Sequence, residues 1–215
     1  MKLKDFPELL LQTSKVKDEN MSFFVGEKGA LKNRGKFIKK TGLDFDKLIV
    51  LYLQHKEKVY LATNKDLGKG GTEKRTAIKA DALITNKKNV NLFLLTADCL
   101  PIAVYDPKNK VIGLIHASRH NIRKIINNTI KKMEKDFGTN PKDLVVNIGP
   151  SIGPCHYEID LWKIAGEELE KFGVSENQIE NPRICTFESA EYFSHRESKA
   201  KNISDNRFAT IFGMK

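Results

Sequence analysis

Between Asn91 and Phe137 the chain carries a strand-rich run followed by one helix, and that order limits most of what it can fold into. Leu92–Thr96, Ile102–Tyr105 and Val111–Ile115 are short segments dense in Leu, Ile, Val and Tyr, the length and composition of strands covered on both faces. Asp106-Pro107-Lys108-Asn109 lies between the last two and is a turn signal: proline presets one backbone angle, and Asp and Asn side chains bond to nearby amides. Ile122, Ile125, Ile126, Thr129, Ile130, Met133 and Phe137 then recur at three and four residues before Gly138, which is the stripe of an amphipathic helix with a glycine stop. Hairpin-connected strands beside such a helix predict a mixed sheet covered by helices, and argue against a purely parallel doubly wound sheet.

The flanking segments extend this reading. Residues 28–42 predict a helix, with Ala30, Leu31, Phe37 and Ile38 on one stripe and Gly42 at its end. Leu48–Leu53 and Lys58–Ala62 predict a strand pair with His55 between them. Asn64–Arg75 holds Gly68, Gly70 and Gly71 among lysines but lacks the Gly-Lys-Ser/Thr ending of a phosphate loop, so it is expected to be a mobile surface loop. Leu144–Ile148 is a buried-type strand entering Gly149-Pro150-Ser151-Ile152-Gly153-Pro154-Cys155, whose glycines and prolines impose a fixed backbone path. Asp160 caps a helix that Gly173 stops, with Trp162 in the core, and Arg207–Met214 is a last strand. No Pro/Ser-rich linker and no repeat divides the chain, so the expected fold is an α/β mixed (α+β) arrangement in one domain over residues 1–215.

Composition narrows the function classes. A chain of 215 residues with 40% hydrophobic and 30% charged residues can bury a core without disulfides. No apolar run approaches the roughly 18 residues of a membrane helix, and Lys2, Lys4, Asp5 and Glu8 interrupt the N-terminal stretch, so neither a spanning segment nor a signal peptide is expected. Three cysteines, Cys99, Cys155 and Cys185, are widely spaced, which suits a reducing cytoplasm better than a disulfide scaffold. The net charge of +10 attracts anions, but only seven of the basic residues are arginine. Base reading favours arginine's planar fork, so the charge is expected to be a lysine-rich solvated surface, with no nucleic-acid or membrane partner.

Two of the five histidines, His55 and His116, fall at strand ends, and Cys99 falls on a strand connection. One thiolate and two imidazoles form a borderline-soft set that suits Zn²⁺, with copper as an alternative, and three protein ligands leave a fourth position open for catalysis. The same residues also permit a metal-free arrangement, with Cys99 as a nucleophile and His116 as its base in a Cys/His hydrolase or deamidase.

Three blocks carry a family resemblance: Thr96-Ala97-Asp98-Cys99-Leu100-Pro101-Ile102, Val111-Ile112-Gly113-Leu114-Ile115-His116-Ala117, and Gly149 through Glu158. They resemble the signature blocks of the laccase-domain or multicopper polyphenol oxidase-like family, also called the peptidoglycan editing factor or purine nucleoside phosphorylase family. Asn33-Arg34, Ala80-Asp81-Ala82-Leu83-Ile84-Thr85, Tyr192-Phe193-Ser194-His195-Arg196 and Asn206-Arg207 resemble further blocks, so the likeness runs from about residue 21 to the C-terminus. The resemblance implies an α/β fold around mixed sheet, zinc ligands at His55, Cys99 and His116, and phosphorolysis of adenosine, inosine and methylthioadenosine beside deamination of adenosine. It implies purine nucleosides and phosphate as the molecules bound, with the oligomeric state left open.

Site roles follow from that resemblance as expectations. Asp98 and His120 are the candidate acid/base groups, and Arg34, Cys155, His156 and Arg196 the candidate substrate contacts; Cys185 is expected to be core. The chain also departs from the pattern. The family's Gln-Val-His reads Leu53-Gln54-His55, and its His-Ala-Gly-Trp-Arg-Gly reads His116-Ala117-Ser118-Arg119-His120-Asn121, without the glycines and with no arginine in register. The Arg-Gly-Gly-type loop expected near the start is not evident in Met21–Gly29. These changes admit a third reading, a metal-binding member that has lost turnover.

Overall fold

The computed structural model describes residues 1–215. Eleven strands follow in chain order: β1 (Leu9–Thr13), β2 (Leu48–Tyr52), β3 (Val59–Leu61), β4 (Ile78–Lys79), β5 (Ala82–Thr85), β6 (Asn91–Thr96), β7 (Leu100–Asp106), β8 (Val111–Ala117), β9 (Val145–Ile148), β10 (Ile179–Glu180) and β11 (Phe208–Met214). The helices are α1 (Ala30–Thr41), α2 (Ile122–Phe137), α3 (Leu161–Lys171) and α4 (His195–Lys201).

The strands form two mixed sheets, one of five strands in the order β1-β11-β6-β2-β4 and one of six in the order β10-β9-β7-β8-β5-β3. In the first, β11 runs antiparallel to β1 and β6 while β2 is parallel to β6 and β4. In the second, β7, β8, β9 and β5 pair antiparallel and β10 and β3 add parallel edges. The α/β mixed class read from the sequence is therefore the fold observed.

Alternating side chains place the sheets face to face. Ile49, Leu51, Leu92, Leu94 and Phe212 of the first sheet meet Leu83, Tyr105, Ile112 and Leu114 of the second in one buried cluster. The intervening residues point outward: Leu48, Val50, Phe93 and Ile211 pack under Phe37 and Ile38 of α1, while Ile84, Ile102, Val104 and Ile115 pack under α2 and α3. Both faces of each sheet are thus covered, which is why the central strands read as near-continuous apolar runs. Helix α2 ends at Gly138 in the left-handed conformation, φ +69, and Asp160 accepts from the Lys163 amide to start α3, as the sequence predicts.

Two expectations need correction. The runs 48–53 and 58–62 do form strands, but β2 and β3 belong to different sheets. The connection between them crosses from one layer to the other, so their closeness in sequence does not become pairing. The glycine-rich segment after β3 is not a loose surface loop: the Gly68 amide donates to the Leu48 carbonyl, the Val50 amide to the Lys69 carbonyl, and Gly70 and Gly71 are buried. Gly70 lies at φ +77, where an added Cβ would stand 2.7 Å from Val50 Cβ and 2.8 Å from Ala77 Cβ, so only glycine fits. Strand β1 and helix α4 lie outside the segments read as regular structure from the sequence.

Gly70 and Gly71 also fix the fate of Arg34, which is fully buried. Its Nε donates to the Met21 carbonyl at 2.6 Å, and its Nη1 donates to the carbonyls of Gly70 at 2.7 Å and Gly71 at 3.0 Å. The guanidinium stacks 4.0 Å from the Phe23 ring. Burial pulls its pKa down to about 9, which still leaves it charged at neutral pH. Arg34 was expected at the substrate; it instead ties α1 to two loops, and it does not line the cavity described below. Replacing Arg34 with Met leaves three buried carbonyls without a donor, so urea unfolding should show a loss of about 2–4 kcal/mol. A variant of native stability would show that these bonds are not what Arg34 supplies.

Candidate metal centre and active-site cavity

The site forms where the ends of β6, β7 and β8 meet the β2–β3 connection. Cys99 sits on the three-residue link between β6 and β7, His116 is the penultimate residue of β8, and His55 lies on the connection. One side-chain donor atom from each of the three lies within 4.8 Å of the other two. The imidazole rings of His55 and His116 meet edge to face, with centroids 4.9 Å apart. Cys99 is half-buried, His116 is 1% exposed and His55 is open to the cavity.

One carboxylate organises two of these three groups. Asp81, 0% exposed, accepts from His116 Nδ1 at 2.9 Å. It also takes the backbone amides of Gln54 at 3.2 Å, His55 at 2.8 Å and Lys56 at 3.0 Å. A carboxylate partner makes His116 Nδ1 the proton-bearing nitrogen, so the Nε2 lone pair remains for a metal. The three amide bonds hold His55 at φ +56, a left-handed conformation that costs a residue with a side chain about 1–2 kcal/mol. Asn121 adds a second tie: its side-chain amide donates to the carbonyls of Lys56 and His116, and its oxygen accepts from the Ser118 amide. Asn121 stands where the family pattern has glycine, so the departure supplies a brace.

Charge follows the same geometry. Burial raises the Cys99 pKa, but the adjoining His116 and His55 outweigh it and bring the thiol down to about 6. Burial lowers that of His116, but Cys99 and Asp81 reverse this and lift it to about 9. Burial also acts upward on Asp81, and the bonds from His116 and the Lys56 and His55 amides leave it below the usual carboxylate range. A thiolate, an imidazole held by a carboxylate, and a second imidazole are the donors that a zinc ion takes, and an ion bound there would displace the proton from His116 Nε2. The residues therefore fit such an ion.

The three groups open onto a cavity of about 470 Å³. Arg119, His120, His195, Arg196 and Lys199 give it a basic rim, and Ala97, Ile152, Tyr157 and Leu161 an apolar wall. Arg196 lies over the Tyr157 ring at 4.9 Å, and Glu158 faces both Arg119 at 3.4 Å and Arg196 at 3.7 Å. Arg119 Nε donates to His120 Nε2 at 3.0 Å, so His120 carries its proton on Nδ1. Asp98, at φ +82, spends its carboxylate on Thr186 Oγ1 and on the Arg196 amide, each at 2.7 Å.

His55, Asp98, Cys99, His120 and Arg196 thus meet at one cavity, with His116 buried behind Cys99. Cys155 and His156 do not line it. The structure places both outside the cavity where they were expected: Cys155 turns to Cys185, 3.5 Å away, and His156 stacks on Phe187 with Nε2 3.4 Å from Glu188. Cys185 is buried as expected, but it has a partner. Sequence reasoning assigned no role to Asp81, His195, Lys199, Arg119 or Tyr157. Arg196 and Lys199 share a face of α4 because they are three residues apart, a signal missed because that segment was not read as helical. The arginine absent from its family register reappears one residue earlier as Arg119.

Residues 12–160 and 158–215 match the family described as multi-copper polyphenol oxidoreductase laccase. The purine nucleoside phosphorylase YlmD of Bacillus subtilis (strain 168) is 30% identical over 230 residues, covering 91% of this chain and 82% of that protein. A purine nucleoside phosphorylase of Bacteroides thetaiotaomicron is 35% identical over 154 residues, 57% of each chain. Among solved structures, Bacillus licheniformis YfiH, described as a hypothetical protein, superimposes with a TM-score of 0.91 at 23% identity, covering 100% of this chain and 96% of that one. YlmD from Geobacillus stearothermophilus does so with 0.89 at 23% identity, covering 98% and 93%. At that identity the structures share the fold.

The charge balance at Cys99 can be tested on chelated, metal-free protein. Peptide-resolved alkylation of Cys99 should follow a titration with its midpoint at about pH 6, because the rate tracks the thiolate fraction, against about 8.5 for an ordinary thiol. A midpoint near 8.5 would show that His116 and His55 do not act on the sulfur as the geometry requires.

Proposed function

We propose that this chain, which belongs to the multi-copper polyphenol oxidoreductase laccase family, is a zinc-dependent purine nucleoside phosphorylase, with adenosine deaminase and methylthioadenosine phosphorylase activities beside it. The observation that carries this reading is the convergence of His55, Cys99 and His116 within 4.8 Å on a cavity rimmed by basic side chains. The relatives named as purine nucleoside phosphorylases supply the substrate class.

His55 Nδ1 or Nε2, Cys99 Sγ and His116 Nε2 would hold the ion. When bound, zinc supplies a Lewis acid beside the reacting centre. The protein's own groups account for the rest. Phosphorolysis breaks the bond between ribose C1′ and the purine nitrogen while a phosphate oxygen takes its place, and the departing base acquires a proton. Arg119, Arg196 and Lys199 hold the phosphate, whose negative charge their fixed positions favour. The two arginines are already placed by Glu158, Tyr157 and the Asp98 carboxylate, so little side-chain order is lost on binding. His120, its Nε2 occupied by Arg119, offers its Nδ1–H as a hydrogen bond to the leaving base, whose proton is balanced by the one that the attacking hydrogen phosphate gives up. Asp98, expected as an acid or base, acts here by positioning Arg196, since both of its oxygens are engaged. Ile152, Leu161 and Tyr157 exclude water from the nucleoside.

One observation favours the metal-free reading: a thiolate beside an imidazolium is what a Cys/His hydrolase uses. It leaves unexplained why Asp81 fixes the His55 loop as well as His116. Purified protein supplied with inosine should release hypoxanthine together with ribose 1-phosphate, only when phosphate is present. His55→Ala and treatment with chelator should each remove at least about 99% of the rate, a loss of about 2.7 kcal/mol of transition-state stabilisation. Arg196→Ala should raise KM for phosphate about tenfold while changing KM for inosine little. Base release without phosphate, or full activity in chelated protein, would overturn the proposal.

A further inference from the structure

Cys155 and Cys185 take no part in the chemistry above, yet their sulfurs stand 3.5 Å apart across two separate segments. Cys155 is exposed, whereas Cys185 is 7% exposed, so the inner thiol is reached through the outer one. The backbone around them is fixed. Ser151 and Cys185 form a parallel bridge, with the Ser151 amide donating to the Ile184 carbonyl at 3.1 Å and the Thr186 amide to the Ser151 carbonyl at 3.0 Å. The Gly153 amide donates to Cys185 Sγ at 3.3 Å. A Cβ at Gly153 would stand 2.6 Å from the Trp162 ring, so this loop is pressed against α3 and holds Cys155 over Cys185. A disulfide needs the sulfurs at about 2.05 Å, so the two sulfurs, 3.5 Å apart, have about 1.5 Å to close.

We infer that Cys155 and Cys185 form a reversible disulfide that clamps the wall of the cavity. The loop with Ser151 and Cys155 carries Ile152 and Tyr157, and the segment starting at Cys185 carries Thr186, His195, Arg196 and Lys199. A bridge joins these two walls covalently. The co-reactant is a low-molecular-weight disulfide. Cys155 loses its proton and its thiolate attacks one sulfur of that disulfide, releasing one small thiolate and leaving a mixed disulfide on Cys155. Cys185 then loses its proton and attacks Cys155 Sγ, and the second small thiolate departs. Two protein thiols are oxidised, one small disulfide is reduced, and the two protons end on the two released thiols. Although Cys155 is open on its outer side, desolvation of the sulfur where it packs on Cys185, together with the Cys185 thiol, holds its pKa up to about 11, so the first step is slow at neutral pH and speeds up as pH rises.

His156 and Glu188, whose ligand atoms lie within 4.8 Å of Cys155 Sγ, are engaged with each other and, for His156, with Phe187. They leave the Cys155 sulfur facing Cys185. Cys99 belongs to the other cluster and stays out of the bridge.

The test treats the full chain with oxidised glutathione and maps its peptides without reduction. The expected product is a Cys155–Cys185 cross-linked peptide, with a Tm about 5 °C or more above that of the reduced protein and reversal by dithiothreitol. Cys185→Ser should stop at a glutathione adduct on Cys155, and Cys155→Ser should leave Cys185 unmodified and Tm unmoved by the oxidant. A stable glutathione adduct on Cys155 in the unaltered chain overturns the inference. So does a bridge involving Cys99, oxidation of Cys185 in Cys155→Ser, or a bound metal that protects both thiols.

Discussion

The Asp81 carboxylate is the interaction on which the site depends. Its position is dictated by the fold, since it immediately precedes β5, the strand that pairs with β8, and its own carbonyl accepts from the His116 amide at 2.7 Å. From there one oxygen pair reaches both the imidazole of His116 and the backbone that carries His55. Two donors far apart in sequence are thereby set by a single buried charge. That charge is tolerable because it is paired and fully hydrogen-bonded; an unpaired carboxylate at this depth would cost several kcal/mol.

The layered architecture explains why the donors meet where they do. The ends of β6, β7 and β8 leave the sandwich at one edge, and the connection between β2 and β3 crosses from one sheet to the other at the same edge. Strain collects there: His55 and Asp98 both adopt positive φ; the His55 amide donates to the Asp81 carboxylate, and the Asp98 carboxylate accepts from Thr186 and the Arg196 amide. Arg34 is the opposite case of a buried charge. It has no carboxylate partner and is carried by backbone carbonyls and an aromatic face, so its contribution is to architecture.

Much of this was legible in the residues. The helices with glycine stops, α1 and α2, and the apolar runs of β6 to β8 follow from local patterns that the packing reinforces, although Leu31, placed on the α1 stripe, is 49% exposed. The grouping of His55, Cys99 and His116 within 4.8 Å was legible because thiol and imidazole are scarce and fell at strand ends or on a strand connection. What stayed hidden was long-range. Whether 48–53 pairs with 58–62 depends on which layer each joins, and no local pattern records that. Asp81 looks in sequence like any aspartate beside a strand, and its role appears only when His116 and the amides of residues 54–56 surround it. Cys155 and His156 misled because they lie between Ile152 and Tyr157, which do line the cavity, while they themselves do not. Arg119 shows the converse, since a register shift of one residue hid a group that still reaches the rim.

The central claim is that Asp81 presets His116 and His55 for one ion shared with Cys99. Zinc affinity of the folded Asp81→Asn variant, measured by competition with a chromophoric chelator, tests it most directly. The asparagine keeps the size but loses the charge that fixes the His116 tautomer, so the account predicts binding weaker by about 10- to 100-fold at one ion per chain. Zinc bound as tightly by Asp81→Asn as by the unaltered protein would contradict it.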